Sequence, residues 1–239
     1  MIKKKASKII ARKPCVAGVI TGGIDERIVK KAISEGAGAL ELRIDTFNNI
    51  TPVVLIKACE RLGKNPFTRN MPLILTIRSN KEGGKNTFSD AKRLELFSVL
   101  MPYADFVDVE LSSSVIIKNV INCAKKHGKK VIVSYHNFKS TPQARLLEDI
   151  ILRSRKAGAD IVKVATAVKR WQNLNTLAGL LINEKNLVVI GMGPGGMLSR
   201  VFFPMLGSAF TYGSVGDATA PGQLMVREIK AQWKACGFS

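Results

Sequence analysis

Cysteine is scarce in this 239-residue chain: its four thiols, Cys15, Cys59, Cys123 and Cys236, lie far apart and form no CxxC pair. That spacing argues against a disulfide framework and a cysteine-ligated metal site, and predicts reduced thiols and a cytoplasmic location. Histidine is scarcer, with two residues, so no cluster has metal-ligand spacing. No stretch approaches the roughly 18 apolar residues a membrane helix needs. Ile9-Ile10-Ala11 is too short for a secretory apolar region before Arg12-Lys13-Pro14. Aromatics make up 6% of the chain, few for a base-stacking surface, and neither zinc-finger spacing nor an RNA-recognition aromatic motif is present. No GxGxxG follows the first expected strand, which weakens a dinucleotide-binding reading.

Positive charge is abundant, with 37 Lys and Arg against 18 Asp and Glu and a net charge of +19. Such a surface attracts phosphate backbones whatever lies beneath it. Yet the cations are spread along the whole chain, clustering only at Lys3-Lys4-Lys5 and around Lys125-Lys126-His127-Gly128-Lys129-Lys130. A solvated basic surface is favoured over a dedicated nucleic-acid site. Residues 1–13 read as a flexible basic leader. Residues 14–239 carry no linker-like stretch and, at 46% hydrophobic content overall, are expected to bury a core as one domain.

Strand and helix signals alternate through that domain. Strands are expected at 15–21, 39–45, 73–78, 105–111, 130–136, 160–166, 187–192 and 209–215, with helical periodicity between them, as at 25–35 and 142–156. Glycines such as Gly36 and Gly158 suit left-handed helix ends that hand over to strands. Eight such units of about 30 residues fit a parallel (β/α)8 barrel of TIM type. A doubly wound open sheet is the alternative.

Two ionisable residues interrupt apolar strands. Lys163 sits in Asp160-Ile161-Val162-Lys163-Val164-Ala165-Thr166, and His136 ends Lys130-Val131-Ile132-Val133-Ser134-Tyr135-His136. Burial makes a neutral, nucleophilic lysine accessible, the usual route to an imine with a carbonyl substrate, and a histidine on the neighbouring strand can shuttle protons. The competing reading is a lysine that snorkels from a strand end and a hydrogen-bonded core histidine. The period of two sends Leu40, Leu42 and Ile44 toward the helices and Glu41, Arg43 and Asp45 toward the barrel axis. It also turns Thr76, Arg78, Asp108, Glu110, Ser134, His136 and Lys163 inward. Barrel interiors are ordinarily filled by branched aliphatics, so this set reads as a polar active site; internal ion pairs that merely close the barrel are the alternative. Two glycine-rich segments, Ile190 to Arg200 and Gly213 to Gln223, leave the last two strands at the mouth.

Together, Glu41-Leu42-Arg43-Ile44-Asp45, Thr76-Ile77-Arg78-Ser79-Asn80-Lys81-Glu82-Gly83-Gly84, Ser134-Tyr135-His136-Asn137-Phe138, the Lys163 strand, Ser199-Arg200, Phe210-Thr211-Tyr212-Gly213 and Ala220-Pro221-Gly222-Gln223 resemble type I 3-dehydroquinate dehydratase. The likeness runs from about Cys15 to the C-terminus. It implies a barrel that dehydrates 3-dehydroquinate to 3-dehydroshikimate through a lysine imine, the third step of the shikimate pathway, as a cytoplasmic homodimer without metal or organic cofactor. By motif, Lys163 matches the imine-forming lysine, His136 the general acid and base, and Glu82 an acidic residue that orients or tunes the histidine. Arg200 matches the arginine for the substrate carboxylate; Glu41, Arg43, Arg78 and Gln223 match hydroxyl-binding and network positions; and Thr219 belongs with the substrate-binding set. Met192, Tyr212 and Ala220 are expected to line the pocket. This chain departs from the commonest pattern at Asn137, where aspartate is frequent, at Tyr212 for phenylalanine, Thr219 for serine and Ile190 for methionine; none removes a catalytic group. A class I aldolase-like Schiff-base lyase and a non-catalytic basic nucleic-acid-binding protein are the rival readings.

Overall fold

Short apolar runs followed by amphipathic stretches fold as the alternation predicts. The computed structural model describes residues 14–216 and 222–238. Within them β1 (Val16–Ile20), α1 (Glu26–Ser34), β2 (Ala39–Arg43), α2 (Pro52–Lys64), β3 (Leu73–Thr76), α3 (Asp90–Leu100), β4 (Phe106–Glu110) and α4 (Ile117–Lys126) form the first half. The second half is β5 (Lys130–Asn137), α5 (Ala144–Ala157), β6 (Ile161–Ala167), α6 (Trp171–Asn183), β7 (Leu187–Met192), α7 (Met197–Leu206), β8 (Thr211–Ser214) and α8 (Val226–Ala235). The expected leader, residues 1–13, and both Thr219 and Ala220 lie outside the described residues.

Every strand from β1 to β7 pairs in parallel with its sequence neighbours, and β8 pairs with β1 through Val16 and Thr211. The ring is nearly closed at β7, where the Ala209 amide donates to the Leu187 carbonyl at 2.7 Å and the Val189 amide donates to the Ser208 hydroxyl at 3.2 Å. This is a single (β/α)8 barrel, so the open-sheet alternative falls. Local chemistry sets its element ends. Asp25 caps α1 by accepting from the Arg27 amide at 2.7 Å, and Gly158, at φ +112°, ends α5 in the left-handed conformation that spares glycine a steric cost. Among the described residues, no helix is long and apolar enough to cross a membrane.

Side-chain alternation splits the core into two layers. Leu40, Leu42, Leu75, Val107 and Val131 pack outward against the helices, whereas Ala17, Ile74, Phe106, Ile132, Ile161, Val188 and Phe210 fill the barrel interior. Strand boundaries differ from expectation where side chains capture the backbone. β2 stops at Arg43, and Ile44–Thr46 form a 3-10 turn. There the Asp45 carboxylate binds the Arg43 guanidinium in bidentate fashion, at 2.9 Å twice, and accepts from the amides of Arg78 and Lys85 at 3.2 Å each. The same bond lifts Arg78 beyond β3, which ends at Thr76.

Candidate active site

Several inward-facing rows gain polar side chains toward the carboxyl end of the strand, while those of β1 and β7 stay apolar. Phe106 is followed by Asp108 and Glu110 on β4, Ile132 by Ser134 and His136 on β5, Ile161 by Lys163 on β6, and Phe210 by Tyr212 on β8. The lower rings plug the barrel; the upper ones surround a pocket. Glu41, Arg43, Arg78, Glu82, His136 and Lys163 line it, joined by Met192, Arg200, Tyr212 and Gln223. The expected site residues within the described chain therefore converge on one place. Val19, Ile190, Ala165, Phe138 and Gly83 complete the wall.

Lys163 is buried, but it is not a lone charge in an apolar strand. Its Nζ lies 3.0 Å from Asp108 Oδ2, 3.8 Å from Glu41 Oε1 and 4.1 Å above the centre of the Tyr212 ring. The snorkelling alternative fails, because the amine points into the barrel rather than to solvent. Asp108 is the hub beneath it: Arg78 Nη2 donates to the same Oδ2 at 2.8 Å, and the Ser134 hydroxyl donates to Oδ1 at 2.6 Å. Burial would raise the Asp108 carboxyl, but Arg78 and Lys163 outweigh it and hold the group well below the usual carboxylate range. Glu41 is fixed by the Thr76 hydroxyl at 2.8 Å.

A second buried carboxylate organises the layer behind. Glu110 Oε1 accepts from Arg78 Nη1 and from the Ser79 amide, each at 3.0 Å, while Oε2 accepts from Ser113 at 2.7 Å and from the Arg93 guanidinium. Arg93 also donates to the Ile77 carbonyl at 3.0 Å. Asp108 and Glu110 were legible as inward-facing residues but carried no assigned role. Arg93 was missed, although a signal existed: it occupies the core-facing stripe of α3 with Leu96, Phe97 and Leu100, where an arginine needs a buried partner. Arg93→Met is expected to destabilise the fold by roughly 3–5 kcal/mol, because removing one partner of a buried pair leaves the other partly uncompensated. Urea unfolding followed by circular dichroism reads this, and a variant as stable as the parent would contradict it.

His136 is held from the other side. Its backbone amide and its Nδ1 both meet Glu82 Oε2 at 2.9 Å, and the Ser112 hydroxyl donates to Glu82 Oε1. Glu82 sits in the 3-10 turn Asn80–Glu82, which ends at Gly83 with φ +85°; a β-carbon there would meet the Phe138 ring at 2.6 Å, so glycine answers both demands. Asn137, in place of a frequent aspartate, does not touch the imidazole: its Oδ1 accepts from the Lys139 and Ser140 amides and shapes the turn after β5. Burial pushes the Glu82 carboxyl up to about 7, with the Ser112 bond and Arg78 pulling it back. Burial, then the cations Arg78 and Lys163, hold the His136 imidazole well below 6.5. Above neutrality the pair is a carboxylate and a neutral imidazole, with the proton on Nδ1 and the Nε2 lone pair available as a base.

The sign of the resulting stability effect follows from linkage. Because the folded Glu82 value of about 7 exceeds its ordinary 4.5, its contribution is fully present below 4.5 and is lost as pH rises through about 7. Glu82→Gln removes that ionisation. The melting temperature of the variant relative to the parent is expected to rise between pH 5 and pH 8; parallel profiles would contradict the assignment.

Arg200 lies on α7, whose register is set where the Ser199 hydroxyl bonds the Gly191 amide at 2.8 Å and the Gly196 carbonyl at 2.6 Å. Its Nε donates to the Gly222 carbonyl at 3.0 Å and Nη1 to the Tyr212 carbonyl at 3.3 Å. Among the described residues it has no carboxylate partner. Burial alone lowers it to about 10, so it stays cationic at neutral pH. A buried guanidinium held by carbonyls and lacking a counter-ion at the wall of a pocket is a receptor for an anion.

A parallel barrel that gathers a lysine, a histidine and three arginines at the carboxyl end of its strands is an enzyme of the (β/α)8 class. The family model for type I 3-dehydroquinase matches residues 24–237, and the chain belongs to that family. The 3-dehydroquinate dehydratase of Thermodesulfovibrio yellowstonii is 32% identical over 230 residues, covering 94% of this chain and 96% of that protein. The corresponding protein of Pyrococcus abyssi is 34% identical over 223 residues, covering 93% and 98%. The crystal structure of 3-dehydroquinate dehydratase from Geobacillus kaustophilus has a TM-score of 0.85 at 25% identity, covering 94% of this chain and 91% of that one. That of the type I enzyme from Clostridium difficile, described with covalent modified comenic acid, has a TM-score of 0.82 at 26% identity, covering 95% and 94%.

Proposed function

We propose that this enzyme dehydrates 3-dehydroquinate to 3-dehydroshikimate and water through an imine on Lys163. The observation that carries the mechanism is the placement around one pocket of a buried lysine, an imidazole and a guanidinium that has no carboxylate partner among the described residues. The family match displaces the aldolase and nucleic-acid readings, and the covalent ligand of the Clostridium difficile relative supports bond-forming chemistry in such a site.

Arg200 receives the substrate carboxylate. Glu41, Arg43, Arg78 and Gln223 receive hydroxyls or hold the network, with Thr219, and Met192, Tyr212 and Ala220 enclose the ring. Lys163, paired as an ammonium with Asp108, passes its surplus proton to the neutral His136 imidazole; the freed amine adds to the ketone, and the carbinolamine loses water as the imidazolium returns that proton to the departing oxygen. The resulting iminium draws electrons from the adjacent carbon, so His136 Nε2 can take a proton there. The electron pair then expels the neighbouring hydroxyl, to which the imidazolium returns the proton, and hydrolysis frees product and amine. Glu82 fixes the tautomer of the neutral imidazole and balances the imidazolium once it forms. Because the iminium is the electron sink, this reading gives no role to a metal or organic cofactor. A homodimer belongs to the proposal, supported by the exposed apolar stripe Leu198, Phe202 and Leu206 on α7, as does a cytoplasmic location, supported by four free cysteines.

Incubation with 3-dehydroquinate while enone absorbance is followed tests the activity; no absorbance gain would overturn it. Arg200→Ala is expected to raise KM far more than it lowers kcat, since it removes the partner of a carboxylate remote from the reacting bonds. A substrate analogue without the carboxylate is the control. If parent and variant differed as much on that analogue as on the substrate, carboxylate capture would not be the role of Arg200.

A further inference from the structure

Tyr212 faces the barrel axis from β8, 3% exposed, with its ring edge-on to Phe210 at 5.3 Å and the Lys163 ammonium 4.1 Å above its centre. The ring is fully engaged; the hydroxyl is not. Three buried side-chain polar atoms lack a hydrogen-bond partner among the described residues, namely Glu35 Oε2, Thr211 Oγ1 and Tyr212 Oη, and of these residues Tyr212 alone lines the pocket. Buried hydroxyls are otherwise paired because an unmade bond is unfavourable. No bond joins the hydroxyl to the carboxylates nearby: Glu41 Oε1 accepts from Thr76, and the Asp108 oxygens accept from Ser134, Arg78 and Lys163.

We propose that the Tyr212 hydroxyl is a specificity-determining donor, satisfied only when the pocket is filled, to an oxygen of the bound polyhydroxylated ring on the side shared with Glu41. The inference rests on the reading of the pocket as a 3-dehydroquinate site and adds to it a contact that the bare pocket leaves open. Lys163 Nζ locates that side, since both Glu41 and the Tyr212 ring flank it within about 4 Å. The phenol is suited to the task. Burial first, and then the carboxylates of Glu41 and Asp108, hold it well above its ordinary 10, so it stays a neutral donor across the working range. A pocket group that is paired only in the complex favours ligands that offer an oxygen at that position and rejects those that lack it.

Tyr212→Phe deletes the oxygen and keeps both the ring beneath Lys163 and its contact with Phe210. The unliganded variant is expected to melt no lower than the parent, because an unpaired buried group has been removed. Its kcat/KM for 3-dehydroquinate should fall roughly tenfold, the worth of one hydrogen bond to ligand, and 3-dehydroshikimate should raise its melting temperature less than it raises the parent's. Rates are expressed per site trapped by borohydride in the presence of 3-dehydroquinate, so an unfolded fraction drops out. Indistinguishable kcat/KM values per trapped site, or a lower unliganded melting temperature with kcat/KM unchanged, would overturn the inference and show that the hydroxyl serves the fold alone. A parent protein that neither turns over nor traps 3-dehydroquinate would overturn the pocket's reading instead.

Discussion

Lys163→Ala is expected to leave a folded barrel that binds 3-dehydroquinate and does not dehydrate it. The fold should survive because Asp108, the amine's nearest partner, keeps Arg78 at 2.8 Å and Ser134 at 2.6 Å, so no uncompensated charge is created. Binding should survive because Arg200 is anchored independently by the Gly222 and Tyr212 carbonyls. What disappears is the covalent electron sink, and no neighbouring cation can replace it: a guanidinium is protonated throughout the accessible range and cannot act as the nucleophile. Turnover should drop by several orders of magnitude while 3-dehydroshikimate still raises the melting temperature, by less than in the parent, whose Lys163 can also form the product imine. Lys163→Met, which keeps the stem volume, should behave alike. Turnover close to that of the parent in either variant would remove the imine from the mechanism.

His136→Ala is expected to slow dehydration by roughly 10²–10⁴-fold, the usual contribution of a positioned acid or base. The loss should fall on a particular step. Solvent water can assist amine addition to a ketone, but it cannot be positioned against a carbon-bound proton as Nε2 is by the two bonds to Glu82. The variant should therefore accumulate a borohydride-trappable adduct that Lys163→Ala never forms. Were His136 only a core residue, the variant would show a lowered melting temperature and turnover proportional to the folded fraction, with no accumulating adduct.

The barrel was legible because its signals are local. Alternation of Leu40 with Glu41 and of Val133 with Ser134 settles which side chains face the axis, whatever the rest of the chain does. The same parity brought Lys163, His136, Arg78 and Glu41 to one pocket, and the order of motifs supplied Glu82, Arg200 and Gln223. Strand ends were less legible. Asp45 and Arg78 read as strand residues, yet the bond from the Arg78 amide to Asp45, across 33 positions, takes both out of the ladder, and a tertiary bond leaves no local trace. Parity likewise showed that Asp108 faces inward but not that it holds Arg78 and Lys163 on one oxygen, since that depends on strand register and stagger. The polar interior expected around Lys163 is present, but the pairing of that amine with Asp108 was not specified for this reason. Arg93 and Ser112 act through Glu110 and Glu82 from elements far away in sequence, beyond what spacing conveys.

The central claim is that Lys163 bonds covalently to the substrate ketone. Borohydride added during turnover of 3-dehydroquinate, followed by proteolysis and mass spectrometry, tests it directly. One reduced-ligand mass is expected on the peptide that contains Lys163, and none in protein treated with borohydride alone. A label carried by another lysine, such as Lys81 or Lys169, or full turnover that borohydride neither traps nor inhibits, would contradict it.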